Sequence, residues 1–389
     1  MAHYMMHQTQ EAMAAFEKAL ACPGEFPEKN QASSHLSILR DGQQLDLATL
    51  ERRIKDAPND VVLIMLMAKI LAATGRLQAA LAAYQSALAL NPDLEAAHLA
   101  QAELYATALN QPDKALAAAN QARKVAPHSP HAAAVLGTAN FRLGQHEDAY
   151  NLLQEAARAL PENSSVQYDF AWAAYSTGRV ADARAIMGKL APGDPTQAAD
   201  AKDFLTLTDP NATADAGTPE LLEKKLATSP TYVPALMIRA ALQAQAGESP
   251  VTSYAKILEV FPLFDPARLA LARVVLDDPG QLDAAEKLAT AAREHLKEDP
   301  DLSGILAIIN FRKGQFDYAA QLLTELSAKR PLTGRELFAL GMSQAATKRP
   351  AEARQSLTQA LLTQLPQTDA ATAKTTLEAL DKPSANARQ

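Results

Sequence analysis

From Val61 to Pro92 the apolar positions fall on two helical faces. Ile64, Met67, Ala68 and Leu71 recur at three- and four-residue steps, Gly75 interrupts them, and Ala80, Tyr84 and Ala87 resume the rhythm. The pattern predicts a helix, a turn and a second helix. Gly75 suits the turn because a residue without Cβ takes left-handed dihedrals at little cost, and Pro92, lacking an N–H, stops the second helix. Ala68, Ala80 and Ala87 let backbones approach closely, while Leu71 and Tyr84 fill the space left.

The unit recurs along the chain. Pro58, Pro92, Pro127, Pro161, Pro195, Pro230, Pro262, Pro300, Pro331 and Pro366 follow one another at intervals of 31 to 38 residues, about 34 on average. A single helix pair cannot bury its apolar face alone, so successive pairs must stack. The pattern resembles the tetratricopeptide repeat family. Eight units carry it, at 61–94, 95–129, 130–163, 164–197, 233–265, 266–299, 300–333 and 334–367. Leu136, Gly137, Gly144, Ala149, Leu153, Ala156 and Pro161 match in the third, and Leu337, Leu340, Gly341, Ala353, Leu357 and Ala360 in the last. The resemblance implies an all-α, right-handed superhelical solenoid of about eight clear and two degenerate repeats. It also implies a concave groove lined by the first helices of successive repeats, where a peptide binds.

Two offsets suggest a duplication. Segments 47–75 and 219–247 share Leu50/Leu222, Glu51/Glu223, Pro58/Pro230, Met65/Met237, Ala68/Ala240 and Gly75/Gly247. Units 130–161 and 300–331 share Asn-Phe-Arg followed two residues later by Gly-Gln. We therefore expect two lobes, 46–197 and 218–367, joined by a degenerate repeat or connection at 198–217, which is rich in Asp, Thr, Ala and Pro. Residues 1–45 read as a helix at 8–20 without its partner helix, then a loop with a degenerate helix near Ser33–Arg40. Residues 368–389 read as a polar capping helix and a disordered tail.

Composition sharpens this picture. The chain of 389 residues is 48% hydrophobic but only 5% aromatic, which favours closely packed helices over sheets. A net charge of -7 with scattered Lys and Arg gives no footprint for nucleic acid. The single cysteine, Cys22, supports neither an internal disulfide nor a thiolate metal cage, and Glu17 and Lys18 break a lipoprotein-type leader before it. The richest apolar window, Val61–Leu71, is interrupted by Lys69, so direct membrane insertion is not expected. The compartment stays open: the cytoplasm is slightly favoured, and a periplasmic place requires a signal or anchor ahead of residue 1.

No catalytic motif emerges. Gly75, Gly144, Gly178, Gly247, Gly280 and Gly314 occupy repeat turns and Gly137 and Gly341 close-packing sites. No GxGxxG, P-loop, GxSxG or HExxH remains. His3 with His7, and His128 with His131, offer two metal ligands at best, fewer than zinc takes. The sequons at Asn163 and Asn211 read as chance. We expect no enzyme activity, no cofactor and no metal.

The groove carries the candidate site. On the helix starting near Ser164, core positions Phe170, Ala171 and Ala174 leave Tyr168, Trp172 and Tyr175 on the adjacent face, with Phe141 extending the stripe from the preceding repeat. The alternative for Phe141, Tyr175 and Phe311 is packing between helix pairs. Asp169 and Lys69 are expected to orient a ligand, and Ile308, Phe311, Phe338 and Met342 form a second apolar strip. Groove positions are otherwise Met, Ala, Thr and Ile, which argues against the Lys/Arg/Asn clamp some family members use for a chaperone's C-terminal carboxylate. The expected function is a non-catalytic scaffold binding a protein or peptide segment. Two alternatives stand beside it: a recruiting or regulatory arm of a larger enzyme or envelope/secretion assembly whose anchor or catalytic domain is absent here, and a self-assembling homo-oligomer.

Overall fold

The computed structural model describes residues 9–22, 47–193, 195–214, 217–363 and 365–381, together with 29, 32, 33, 35, 36 and 40. His3, His7, most of the expected loop at 21–45 and the expected tail from 382 lie outside the described residues. Among those described there are twenty-one α-helices, two short 3-10 turns and no strand. The fold is an all-α solenoid of stacked helix pairs. The chain divides into two compact units, residues 1–201 and 202–389, with the division inside the helix Pro195–Leu207.

The first unit begins with α1 (Thr9–Ala21) and α2 (Leu47–Asp56). Four helix pairs follow: α3/α4 (Val61–Ala73, Leu77–Leu90), α5/α6 (Glu95–Thr107, Pro112–Val125), α7/α8 (Pro130–Arg142, His146–Ala159) and α9/α10 (Ser164–Ser176, Val180–Leu190). α11 (Pro195–Leu207) succeeds them, so part of the segment expected as a connection is helical. The second unit holds α12 (Thr218–Thr228), then α13/α14 (Val233–Gln245, Val251–Val260), α15/α16 (Asp265–Val275, Leu282–Arg293), α17/α18 (Pro300–Arg312, Phe316–Ser327) and α19/α20 (Gly334–Ala346, Pro350–Leu361). It ends with α21 (Gln367–Asp381).

The turn chemistry explains the repeat. Gly75, Gly144, Gly178, Gly247 and Gly314 take φ between 75 and 83°, which L side chains adopt only at a cost. Asn110 (φ 50°) and Lys348 (φ 61°) fill the same place in their repeats. Gly280 departs from the expectation: it lies in the 3-10 turn Pro279–Gln281, its N–H bonded to Asp278 Oδ1. First helices start on side-chain caps where the sequence supplies them, as at Asp60, Ser129, Asn163 and Asp299.

Within each pair the helices close on small residues. A Cβ on Gly137 would sit 2.7 Å from Leu153 Cγ, and one on Gly341 2.6 Å from Leu357 Cγ, so only glycine lets those helices approach. Fully buried alanines line the second helices, among them Ala80, Ala119, Ala149, Ala289 and Ala353. Successive pairs then share cores: Ala102, Ala119, Leu136 and Ala139 join α5, α6 and α7, and Ala307, Leu323, Ala339 and Leu340 join α17, α18 and α19. The shared Asn-Phe-Arg has a structural role. Arg142 donates to the carbonyl of Ala106 and Arg312 to that of Leu276, each 36 residues back, tying one first helix to the last turn or C-cap of the preceding one.

Both ends of the described chain are packed. Ala12 and Phe16 of α1 are buried with Ala32, Leu36, Leu50 and Val62, and His35 meets Asp60 at 3.0 Å. α21 buries Ala373 beside Phe338, Leu357 and Ala360, and Arg354 bonds Asp381.

Candidate functional site

The first helices α3, α5, α7 and α9 place equivalent residues at a constant step: Lys69, Glu103, Thr138 and Trp172 are separated by 34, 35 and 34 positions. On α9 the buried side is made by Val166, Ala171, Ala173 and Ala174. Tyr168 and Trp172 stand one turn apart on the adjacent side, both half-buried, with rings 6.4 Å apart at 71°. The Tyr168 hydroxyl donates to Asp200 Oδ2 at 2.7 Å, from α11, and is itself hydrogen-bonded to the Trp172 side chain, whose indole N–H is the donor. Burial first, then the Asp200 carboxylate, push the phenol's pKa well up. The two rings are therefore held in place by contacts within the fold.

Tyr175 belongs behind this face. It is 2% exposed, and its ring meets Trp172 edge-on at 5.9 Å and 89°. It thus packs against the indole and offers no surface of its own. Phe141 is packed on one side and remains partly exposed. It packs with Ala149, Leu153 and Ala173 and stands edge-on to His146 at 5.2 Å. Of the expected stripe, Tyr175 is buried, whereas Tyr168, Trp172 and Phe141 each stay partly exposed.

Asp169 accepts from Thr138 Oγ1 at 2.7 Å. Burial raises its pKa, against the pull of that hydrogen bond and of the nearby Arg142 charge. Lys69 lies apart from this group, on α3. Although its side chain stays exposed, desolvation by the surrounding helices disfavours its charge and Glu103 on α5 supports it; burial in turn raises the pKa of Glu103. Sequence reasoning missed Asp200, Glu103 and Thr138. Glu103 and Thr138 were legible as the repeat-equivalents of Lys69 and Trp172, whereas Asp200 fell in the stretch read as a degenerate repeat or connection.

The second unit differs. Phe311 meets Phe316 and Phe338, Phe338 is 8% exposed, and Met342 Sδ accepts from Thr376 of α21. Much of the expected apolar strip is thus spent on packing. Ile308 lines a recess of about 500 Å³ with Gly304, Arg273 and Arg335. Its wall holds a paired carboxylate: Glu336 receives two hydrogen bonds from Arg330 at 2.8 and 2.9 Å. Among the described residues no group of three or more His, Cys, Asp or Glu is placed to hold a metal ion, and no helix is long and apolar enough to cross a membrane.

Family models of the tetratricopeptide repeat match residues 65–130, 104–164, 140–207 and 306–370, more than half of the chain. Among solved structures, the APC/C hetero-tetramer Cut9–Hcn1 is similar at 15% identity over 97% of this chain and 88% of that one, with a TM-score of 0.50. YrrB, described as having an unusual peptide-binding site, is 21% identical over 49% of this chain and 97% of its own, with a TM-score of 0.39. A tetratricopeptide repeat protein from Parabacteroides merdae ATCC 43184 is 16% identical over 74% of this chain and 98% of its own, at 0.32. No curated protein matches the chain. At such identities the likeness to Cut9–Hcn1 speaks for the fold.

Proposed function

Because this chain belongs to the tetratricopeptide repeat family, whose members typically serve as non-catalytic scaffolds, we propose that it binds a segment of a protein partner along the first helices of its first unit. The observation that carries this reading is the Tyr168–Trp172 platform. Both rings are half-buried, so part of each remains open to solvent. Both are also fixed by edge contacts and by the hydrogen bonds through Tyr168 to Asp200. A rigid, amphipathic ring pair forfeits little rotamer entropy on binding, which is why Tyr and Trp recur at binding hot spots. Tyr175 backs the platform from within. Asp169 beside it, and Lys69 with Glu103 towards α3, give the segment a direction.

The test is a pull-down from the native source with wild type beside Trp172→Ala, both checked by circular dichroism. The reading expects equal helicity and a partner weakened by about 2 kcal/mol, roughly 30-fold. Undiminished capture by the folded variant would remove the platform from the binding surface.

A further inference from the structure

One hydrogen has two claimants where α7 meets α9. The Thr138 hydroxyl lies 3.0 Å from the carbonyl oxygen of Ala134, one turn back on α7, and 2.7 Å from Asp169 Oδ2 on α9. A threonine hydroxyl carries a single hydrogen, although its oxygen can also accept. While Asp169 is ionised its oxygens only accept, so the hydrogen goes to Asp169 and the bond to Ala134 is left unmade. A protonated Asp169 becomes a donor: Oδ2–H then bonds Thr138 Oγ1, and the threonine hydrogen turns to the Ala134 carbonyl. The ionised form therefore makes one charge-assisted bond, and the neutral form a chain of two at distances that suit both. Burial tilts the balance towards the neutral form, against the pull of Thr138 and Arg142.

We infer that Thr138 and Asp169 form a proton switch across the α7–α9 seam, in which one proton taken up by Asp169 reverses the hydrogen bond between them and removes a negative charge beside the Tyr168–Trp172 pair. Asp169 and Trp172 are three residues apart and share a side of α9, and the Asp169 charge reaches the Tyr168 phenol. From α7, Arg142 attracts the ionised form while its guanidinium is bonded to the Ala106 carbonyl, and His131 acts on Glu103 of α5. From α11, Asp200 is bonded to Tyr168, and Lys202 is exposed. On α8, Glu147 and Glu155 are paired with Arg179 and Arg123, His146 stands against Phe141, and Asp148 and Arg158 are exposed, as are Asp182 and Lys189 on α10. What the switch does to a partner rests on the proposed function. The switch itself belongs to the free chain and is tested there, so its failure leaves the binding reading standing.

The measurement follows the emission of Trp172, the only tryptophan, in the full chain from about pH 8 down to about pH 4, with circular dichroism marking the range over which the chain stays folded. Wild type should show a one-proton transition with its midpoint above the ordinary carboxylate value. Asp169→Asn should abolish it, and Asp200→Asn should keep it. Thr138→Val, which takes away the donor to the ionised form, should move the midpoint upward. Flat wild-type emission, a transition that survives in Asp169→Asn, one that vanishes in Asp200→Asn, or an unmoved midpoint in Thr138→Val would each overturn the switch. The variants report independently, so one that fails to fold leaves the others to decide.

Discussion

One residue beside the platform does not serve stability. Asp169 has its pKa raised by burial, so its ionised form is disfavoured in the fold, and the cost grows as pH rises past the ordinary carboxylate value. Asp169→Asn keeps an oxygen for Thr138 and is expected to match or exceed the wild type in urea midpoint at pH 7, while binding more weakly. Glu336 behaves in the opposite way. Burial pushes its carboxyl up, but Arg330 and the Thr333 amide together pull it below the usual range. Its stabilising contribution is complete above about pH 4.5 and is lost as pH falls through the lower folded value. Wild type should therefore lose stability relative to Glu336→Gln between about pH 5 and pH 3 in urea titrations. Lys348, with φ at 61° where other repeats have glycine, gives a third case. Lys348→Gly should raise the unfolding free energy by about 1 kcal/mol.

At the scale of elements, glycines and arginines decide how closely helices meet. Gly341→Ala would press its Cβ against Leu357 Cγ and should cost about 1 to 3 kcal/mol by overpacking, read as a lower denaturation midpoint with unchanged slope. The sequence pattern was a good guide here, since prolines, turn glycines and close-packing glycines report local backbone needs that each repeat must meet by itself. It was a poorer guide at the end of α9. A period of 3.6 places Tyr175 on the same side as Tyr168, but cannot tell which stretch of that side the neighbouring pairs cover, and 2% exposure is the outcome. Asp200 was illegible for the converse reason: it points away from the buried Ala198 and Ala201 that mark its helix, and its partner lies 32 residues away across a tertiary contact. The Asn-Phe-Arg pairing was visible as a repeat, yet the carbonyls it serves are backbone atoms that no side-chain pattern reveals.

For the whole molecule, the two units are built from one kind of helix pair but offer different surfaces. The first keeps its Tyr168–Trp172 pair half open to solvent, whereas the second spends Phe311 and Phe338 on packing and lets α21 reach Met342. Fold follows from periodic small residues that both units share, and the proposed binding rests on the few large side chains they do not. The central claim is that a partner sits on the Tyr168–Trp172 platform. The most direct measurement is acrylamide quenching of the single tryptophan, Trp172, before and after adding the Trp-free segment of the partner recovered on the wild-type chain. The account predicts that the bound segment shields the indole and lowers the quenching constant at least about twofold. An unchanged quenching constant with the segment fully bound would contradict it.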